Sequence, residues 1–294
     1  MKIEKISVNG KIFSANAADI NALDSGLTFG LVLFETFRAS NKKIFLLQEH
    51  LARLYSSIDI LGIKRPQKKL LITYLGQIIN EFKPSQDLFL RLMVTGGNAE
   101  LKLSNQKYGQ PKVIIYAAKI PKFTPLEKPA KTLNSVTRQL PEYFKLSKTR
   151  LKTNDYLSAH LAQAELDEFK RQNSLPANTH LEGILLSPSG YVVEALTSNI
   201  FWTKNGQLFT PPLSLGVLPG IMRQYLVESH GAREKLIKSK DLEAAEEVFL
   251  SNGVNFICSI SKINNSQKAG IYGLAFTKIF KKLLKDIKNS YIIN

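Results

Sequence analysis

The chain of 294 residues carries a formal net charge of +16, and 44% of its residues are hydrophobic. This content allows a sizeable core and excludes an intrinsically disordered chain. No apolar run approaches the roughly 20 residues of a membrane-spanning helix. The N-terminal sequence MKIEKISVNGKIF has polar residues where a signal peptide would be hydrophobic. We therefore expect a soluble cytoplasmic protein without membrane contact.

The basic residues, the cysteine and the histidines bear on nucleic-acid binding, thiol chemistry and metal binding. The basic residues are spread along the chain and are not interleaved with aromatic residues, so no nucleic-acid partner is predicted. The charge favours anionic substrates instead. The single cysteine, Cys258, stands in the apolar run VNFICSI, which predicts a buried thiol. No metal site is predicted, because the histidines fit no zinc spacing: His50, His160, His180 and His230.

The first half of the chain alternates hairpin, helix and strand patterns. Asn9-Gly10 predicts a hairpin turn, and a second hairpin is predicted around the polar turn at 40–43. Apolar spacings of three and four predict helices from about Gln48 to Leu61 and from about Gln67 to Phe82. The β-rich runs LFLRLMVT and KVIIYAAKI predict two further strands.

A proline-rich stretch divides the chain into two predicted domains. Residues 120–131, IPKFTPLEKPAK, carry three prolines and no apolar periodicity, which predicts a linker. An N-terminal α/β domain over 1–119 and a C-terminal domain over 132–294 follow. The second half predicts short strands and helices from about Asn154 to Gln172, from Ile221 and near the C-terminus. The predicted fold class is α+β with mixed or antiparallel sheets.

Three features suggest chemistry, and each has an ordinary explanation as well. The glycine-bounded loop before Ile221 enters a helix whose free N–H groups favour a phosphate, although plain loop-to-helix junctions are common. Glu194, in YVVEALTSNIFW, either faces solvent or pairs with a buried cation. Lys152 is predicted to open a helix, which favours the neutral amine that imine formation needs. From this feature alone, an ordinary surface lysine is the better explanation.

Together these segments resemble the class IV pyridoxal-phosphate enzymes, which include branched-chain and D-amino-acid aminotransferases and 4-amino-4-deoxychorismate lyase. The similarity runs from about Asp24 to Ile260. It rests on five ordered motifs: DSGLTFGLVLFETFRA, LLQEHLARL, RLKTNDYL, GYVVEALTSNIFWTKNGQLFTPPLSLGVLPGIMRQ and EEVFLSNGVNFICSI. The resemblance implies the fold-type IV architecture, with a small N-terminal α/β sandwich and a larger C-terminal domain with a barrel-like sheet. It also implies pyridoxal 5'-phosphate as cofactor and a homodimer.

The resemblance further implies roles for individual residues. Lys152 would hold the cofactor as a Schiff base and then move protons. Glu194 would bond the pyridine nitrogen, and Arg53 would bind the phosphate. Phe34 and Arg91 would contact the substrate, with Arg91 on its carboxylate. The other implied cofactor contacts are Tyr156, Asn199, Gly220, Ile221, Met222, Asn252 and Gly253.

Two reactions stay open for a small anionic or amino-acid substrate. The motifs FETFRA, IFLLQEHLARL, NIFWTK and GIMRQ resemble those of the lyase, which eliminates pyruvate from 4-amino-4-deoxychorismate to give 4-aminobenzoate in the folate pathway. Transaminases more often carry threonine where Met222 stands. The alternative is an aminotransferase acting on branched-chain or D-amino acids with 2-oxoglutarate.

Two departures from the family concern the substrate pocket. A second glycine is missing after Gly30, and VTGGN lacks the usual arginine.

A minor alternative is a non-catalytic homologue that only binds the cofactor. The presence of Lys152, Glu194 and Arg53 argues against it.

Overall fold

A computed structural model describes the chain over residues 1–102, 108–140, 144–176, 179–264, 266–268, 273–288 and 291–292. These residues form two compact units. The first comprises Met1–Phe123, Leu151–Asp155 and Ile287–Asn294, and the second comprises Thr124–Arg150 and Tyr156–Asp286. The break after Phe123 falls within the predicted linker. The short segment Leu151–Asp155 joins the first unit, which the sequence patterns did not predict.

The secondary structure of the described residues mixes many strands with fewer helices. The strands are β1 (Lys5–Val8), β2 (Lys11–Ser14), β3 (Val32–Ser40), β4 (Lys43–Ile44), β5 (Asp87–Thr95), β6 (Lys112–Ile120), β7 (Leu126–Thr137), β8 (Glu182–Leu186), β9 (Val192–Ala195), β10 (Asn199–Lys204), β11 (Gln207–Thr210), β12 (Arg233–Glu234), β13 (Val248–Asn252), β14 (Phe256–Ile263), β15 (Ser266–Gln267) and β16 (Tyr291–Ile292). The helices are α1 (Ser25–Thr28), α2 (Leu47–Ile60), α3 (Lys68–Asn80), α4 (Phe144–Ser147), α5 (Leu157–Gln172), α6 (Ile221–His230), α7 (Ser239–Glu243) and α8 (Leu274–Lys288). Short 3-10 helices cover Ala15–Ala17 and Leu213–Leu215.

The first unit is built on an antiparallel sheet in the order β16-β4-β3-β5-β6-β1-β2. Both predicted hairpins are confirmed. The turn between β1 and β2 has Asn9 at φ 50° and Gly10 at φ 87°, and the next turn has Asn41 at φ 49° and Lys42 at φ 61°. Positive φ at two consecutive residues matches the twist of a two-residue hairpin. Helix α2 packs on β3, and α3 packs on β6 and β1, so helices cover one face of this sheet.

The second unit contains a mixed sheet in the order β12-β11-β10-β13-β14-β7-β8-β9, with β15 paired to β14. Strand β7 runs parallel to both β14 and β8. A buried apolar cluster fills one side of this sheet, with Trp202 as its largest member. Cys258 belongs to this cluster, as predicted, and burial raises the pKa of its thiol to about 11.

The linker prediction is wrong for residues 126–131, because they form the first half of β7. Proline at 129 cannot donate a hydrogen bond to a ladder, and the pairing with β14 shifts register between Ile260 and Lys262, opposite that proline. The proline content therefore marks an irregular strand here. The mixed α+β fold class is confirmed. Within the described residues, no helix has the length and apolar content needed to cross a membrane.

Candidate active site

Glu35 is a deeply buried acid of the first unit, with 1% of its surface exposed. It stands in β3, and two residues one turn apart on α2 reach its carboxylate. Arg53 donates from Nε to Oε1 at 2.8 Å and from Nη2 to Oε2 at 2.6 Å, and His50 Nδ1 lies 2.7 Å from Oε2. Burial raises the pKa of Glu35, but the charge of Arg53 and the bond from His50 outweigh it and lower the pKa to about 2. The carboxylate is therefore ionised at neutral pH.

This cluster fixes the orientation of the Arg53 guanidinium. Burial lowers the pKa of His50, so its ring is neutral and donates its Nδ1 proton to Glu35. The bidentate bond uses one edge of the guanidinium, and the plane of Arg53 is set by the carboxylate. Sequence reasoning assigned Arg53 to a phosphate but missed Glu35 and His50. The acidic residue inside the apolar run LVLFETFRA, and the i, i+3 spacing of His50 and Arg53, were the available signals.

Lys152 lies in an extended segment of the first unit, and the prediction that it opens a helix is wrong. Helix α5 begins at Leu157, with Tyr156 as the preceding cap residue. The helix dipole acts only within about one turn of the helix end, so it does not explain any property of Lys152. Instead the backbone is bound to β3, because the Phe34 N–H donates to the Lys152 carbonyl at 3.0 Å and Leu33 pairs with Thr153.

The ring of Phe34 brings together two predicted site residues. Lys152 Nζ lies 4.6 Å from the ring centroid, and the Arg91 guanidinium carbon lies 4.7 Å from it. Arg91 also lies 5.9 Å from the ring centroid of Phe89. An amine and a guanidinium thus share one aromatic neighbour in the first unit.

Glu194 in β9 is buried at 4% exposure, and the structure decides between its two sequence interpretations. It pairs with partly buried cations and does not face solvent. Arg150 Nη1 donates to Oε1, Arg138 Nη2 lies 3.4 Å from the same oxygen, and the Leu218 N–H donates to Oε2 at 3.1 Å. Neither arginine was assigned a role from the sequence, although Arg150 is the first residue of the motif RLKTNDYL.

The loop before α6 is held by Asn199 and needs glycine at 220. Asn199 Nδ2 donates to the Leu218 carbonyl at 2.9 Å, and a Cβ on Gly220 would lie 2.0 Å from Asn199 Oδ1. Ile221 and Met222 follow as buried first residues of α6, and no side chain caps this helix. The N–H groups of the first helical turn have no partner within the helix, so they suit an anion.

The remaining predicted residues lie at turns and helix ends of the second unit. Asn252 Oδ1 accepts from the N–H groups of Val254 at 2.9 Å and Asn255 at 2.8 Å, and Asn252 Nδ2 donates to Ser198 Oγ at 2.9 Å. Gly253 is half-buried in the same turn. Tyr156 is partly exposed at the start of α5. The described residues contain no cluster of three potential metal ligands.

Known proteins resemble this chain over most of its length. The family model for amino-transferase class IV matches residues 32–263. The aminodeoxychorismate lyase of Bacillus subtilis is 30% identical over 96% of this chain and 95% of its own. A putative branched-chain-amino-acid aminotransferase of Methanocaldococcus jannaschii is 30% identical over 98% and 97%. The structure of the Escherichia coli branched-chain aminotransferase matches with a TM-score of 0.79 at 25% identity, over 97% and 94% of the two chains.

Proposed function

The chain belongs to the class IV aminotransferases, a family of enzymes that depend on pyridoxal phosphate, and on this premise we propose that it is an aminodeoxychorismate lyase. It would eliminate pyruvate from 4-amino-4-deoxychorismate and release 4-aminobenzoate. The similarity to the Bacillus subtilis lyase over 96% of the chain supports this reaction. The lyase-like motifs around β3, α2, β10 and the start of α6 support it as well.

The donor groups of the described residues fit pyridoxal 5'-phosphate. In the first unit, Lys152 offers a primary amine for the aldehyde, and Arg53 offers a guanidinium that Glu35 holds in one orientation. In the second unit, the uncapped start of α6 suits a phosphate, and Gly220 allows the close approach of backbone there. The buried carboxylate of Glu194 suits a protonated ring nitrogen. We therefore assign these residues to the cofactor.

When bound, the cofactor supplies the electron sink that such an elimination needs. The residues of the chain supply positioning and proton transfer. Lys152 Nζ takes the proton from the carbon that carries the substrate amine, and the hydrogen bond from the Phe34 N–H holds the Lys152 backbone against β3. The bond between the six-membered ring of the substrate and the enolpyruvyl oxygen then breaks, and this ring becomes aromatic. The leaving enolpyruvate gains a proton and becomes pyruvate, so the proton count is balanced.

An aminotransferase acting on branched-chain L-amino acids or D-amino acids is the second candidate. The Methanocaldococcus jannaschii relative, named as a putative branched-chain aminotransferase, has the same 30% identity and similar coverage. Lys152 would take the same proton in this reaction. The two candidates differ only in where that proton and the electron pair go next.

Offering both substrate sets to the purified, cofactor-loaded enzyme separates the candidates. The first set is 4-amino-4-deoxychorismate, with pyruvate and 4-aminobenzoate as readouts. The second set is branched-chain L- and D-amino acids with 2-oxoglutarate, with glutamate as readout. We expect pyruvate and 4-aminobenzoate in equal amounts. Glutamate without pyruvate would overturn the lyase proposal in favour of the aminotransferase.

The absorbance of the protein after incubation with cofactor tests the non-catalytic alternative. We expect an absorbance band from the covalent bond between the cofactor and Lys152, and the variant Lys152→Ala should lack this band. Equal spectra for the wild type and the variant would contradict the role of Lys152.

A homodimer and a cytoplasmic location, implied by the resemblance and the sequence, stay predictions. Light scattering during gel filtration tests the first of these.

A further inference from the structure

Three polar residues form a row across the sheet of the first unit. Thr36 of β3 pairs with Arg91 of β5, and Arg91 pairs with Tyr116 of β6. Directly opposite residues of antiparallel strands project from the same face of a sheet. Side chains alternate along a strand, so Thr36 shares its face with Phe34 and not with Glu35, which faces α2. The row therefore lies on the face where Lys152 contacts Phe34.

The guanidinium at the centre of this row is held by aromatic rings. Arg91 lies over the rings of Phe34 and Phe89, at 4.7 Å and 5.9 Å from their centroids. Aromatic faces attract a guanidinium and set its plane without adding a negative charge. Lys152 and Arg91 contact the same ring, so the amine and the guanidinium lie within about 10 Å of each other. A small substrate bound at the amine can therefore reach the guanidinium.

The residues paired with Arg91 on the two neighbouring strands, Thr36 and Tyr116, both carry hydroxyl groups. Thr36 Oγ1 is buried and has no hydrogen-bond partner among the described residues, a state that costs free energy unless a ligand supplies the partner. Burial raises the pKa of Tyr116 against the opposing charge of Arg91, so its phenol stays protonated and can donate at neutral pH. Thr36, Arg91 and Tyr116 are each half-buried as residues, so this row is not sealed within the core.

We propose that Thr36 and Tyr116 are specificity-determining residues that bind a carboxylate of the substrate together with Arg91. A carboxylate accepts several hydrogen bonds, and a planar guanidinium with a hydroxyl on either side matches that need. The substrate class is an amine that carries a carboxylate within reach of Arg91. This inference rests on the proposed function, because it takes Lys152 as the group that binds the amine.

Two conservative variants test the row in the cofactor-loaded enzyme. Thr36→Val and Tyr116→Phe each remove one hydroxyl and keep the shape of the side chain. A hydrogen bond to a charged group contributes enough for its loss to weaken binding about tenfold. We expect each variant to raise the KM of the active substrate about tenfold and to leave kcat within about twofold. Tyr55→Phe removes a hydroxyl that bonds to the Pro66 carbonyl in the same unit, and this control should change neither constant.

Calorimetry gives a readout that does not depend on turnover. The probes are 4-aminobenzoate and its methyl ester, which lacks the negative charge; glutarate and its dimethyl ester replace them if the aminotransferase reaction is the active one. Both variants should bind the acid about tenfold more weakly and the ester as the wild type does. Thr36→Val should also melt no lower than the wild type, since it removes a buried hydroxyl that has no partner in the described fold.

The outcomes separate this inference from the proposed function. A wild type that never binds the cofactor refutes the proposed function and the inference with it. A wild type that binds the cofactor, with variants that bind the acid unchanged or lose acid and ester equally, overturns the inference alone. A lower melting temperature for Thr36→Val without weaker acid binding would show a structural role for that hydroxyl and overturn its assignment.

Discussion

Arg53 and Arg91 lie in the same unit and are held in two different ways. A buried carboxylate, Glu35, binds Arg53 at two of its N–H groups, whereas the rings of Phe34 and Phe89 lie against Arg91. The first arrangement fixes an arginine rigidly, but it makes the fold depend on both partners, because either charge alone would be buried. The second arrangement contributes little to stability. The comparison suggests that Arg53 is both structural and functional, whereas the rings of Phe34 and Phe89 set the orientation of Arg91.

The largest expected effect is the loss of Arg53. Arg53→Ala leaves the Glu35 carboxylate buried without its main partner, which should lower the free energy of unfolding by about 3 to 5 kcal/mol. Arg91→Ala is the matched control and should cost less, because its contacts with the rings of Phe34 and Phe89 contribute only about 1 kcal/mol. Urea unfolding of both cofactor-free variants measures the difference. Equal losses for the two variants would contradict the comparison.

Arg53→Ala also tests which part of the cofactor this arginine binds. Under the proposed function, the variant should bind pyridoxal 5'-phosphate more weakly than the wild type, while pyridoxal, which lacks the phosphate, should bind equally to both. Arg91→Ala should leave both affinities unchanged. Absorbance titrations measure them. An equal loss of affinity for both compounds would refute the assignment of Arg53 to the phosphate.

Acid should destabilise the fold through Glu35. The pKa of Glu35 is lowered from 4.5 to about 2 in the folded protein, so its ionised form contributes about 3 kcal/mol above pH 4.5. This contribution is lost as the pH falls from 4.5 towards 2, because the unfolded chain takes up the proton first. Glu35→Gln should be less stable than the wild type at pH 5 but should lose less stability between pH 5 and pH 3. Parallel pH profiles for both proteins would exclude this role.

The smallest expected effect concerns the ring of Phe34. Phe34→Leu keeps the side chain apolar and removes the ring that Lys152 and Arg91 share. Cation–ring contacts at partly exposed sites contribute about 1 kcal/mol, so we expect a small loss of stability and a slower reaction of Lys152 with the cofactor. Stopped-flow absorbance after mixing with the cofactor measures this rate. A rate equal to that of the wild type would show that the ring does not position the amine.

Local patterns predicted the elements that local physics determines. The hairpin at Asn9-Gly10 follows from two residues that tolerate positive φ, and α2 and α3 follow from their apolar spacing. Strand β7 was interpreted in part as a linker because Pro129 and the two prolines before the strand disfavour a strand locally. Its pairing partners β8 and β14 are distant in sequence. No short stretch of the sequence shows that β7 pairs with these two strands.

The candidate site shows the same division. The family motifs predicted Lys152, Arg53 and Glu194, whereas the residues that hold them were missed. The contact of Lys152 with Phe34 depends on the pairing of Leu33 with Thr153, which only the folded chain shows. The arginines around Glu194 lie outside regular strands and helices, and no sequence pattern shows that their side chains meet this carboxylate. Supporting residues of a site are thus harder to read from sequence than the residues they support.

The segment Leu151–Asp155 has a consequence for the order of events during protein synthesis. It belongs to the first unit, although the residues on either side of it belong to the second. A ribosome that has made the first 123 residues has therefore released most of a sheet but no Lys152. The amine follows roughly 30 residues later, after a few seconds of elongation. Most of the first unit is therefore synthesised before its amine, which comes from a later part of the nascent chain.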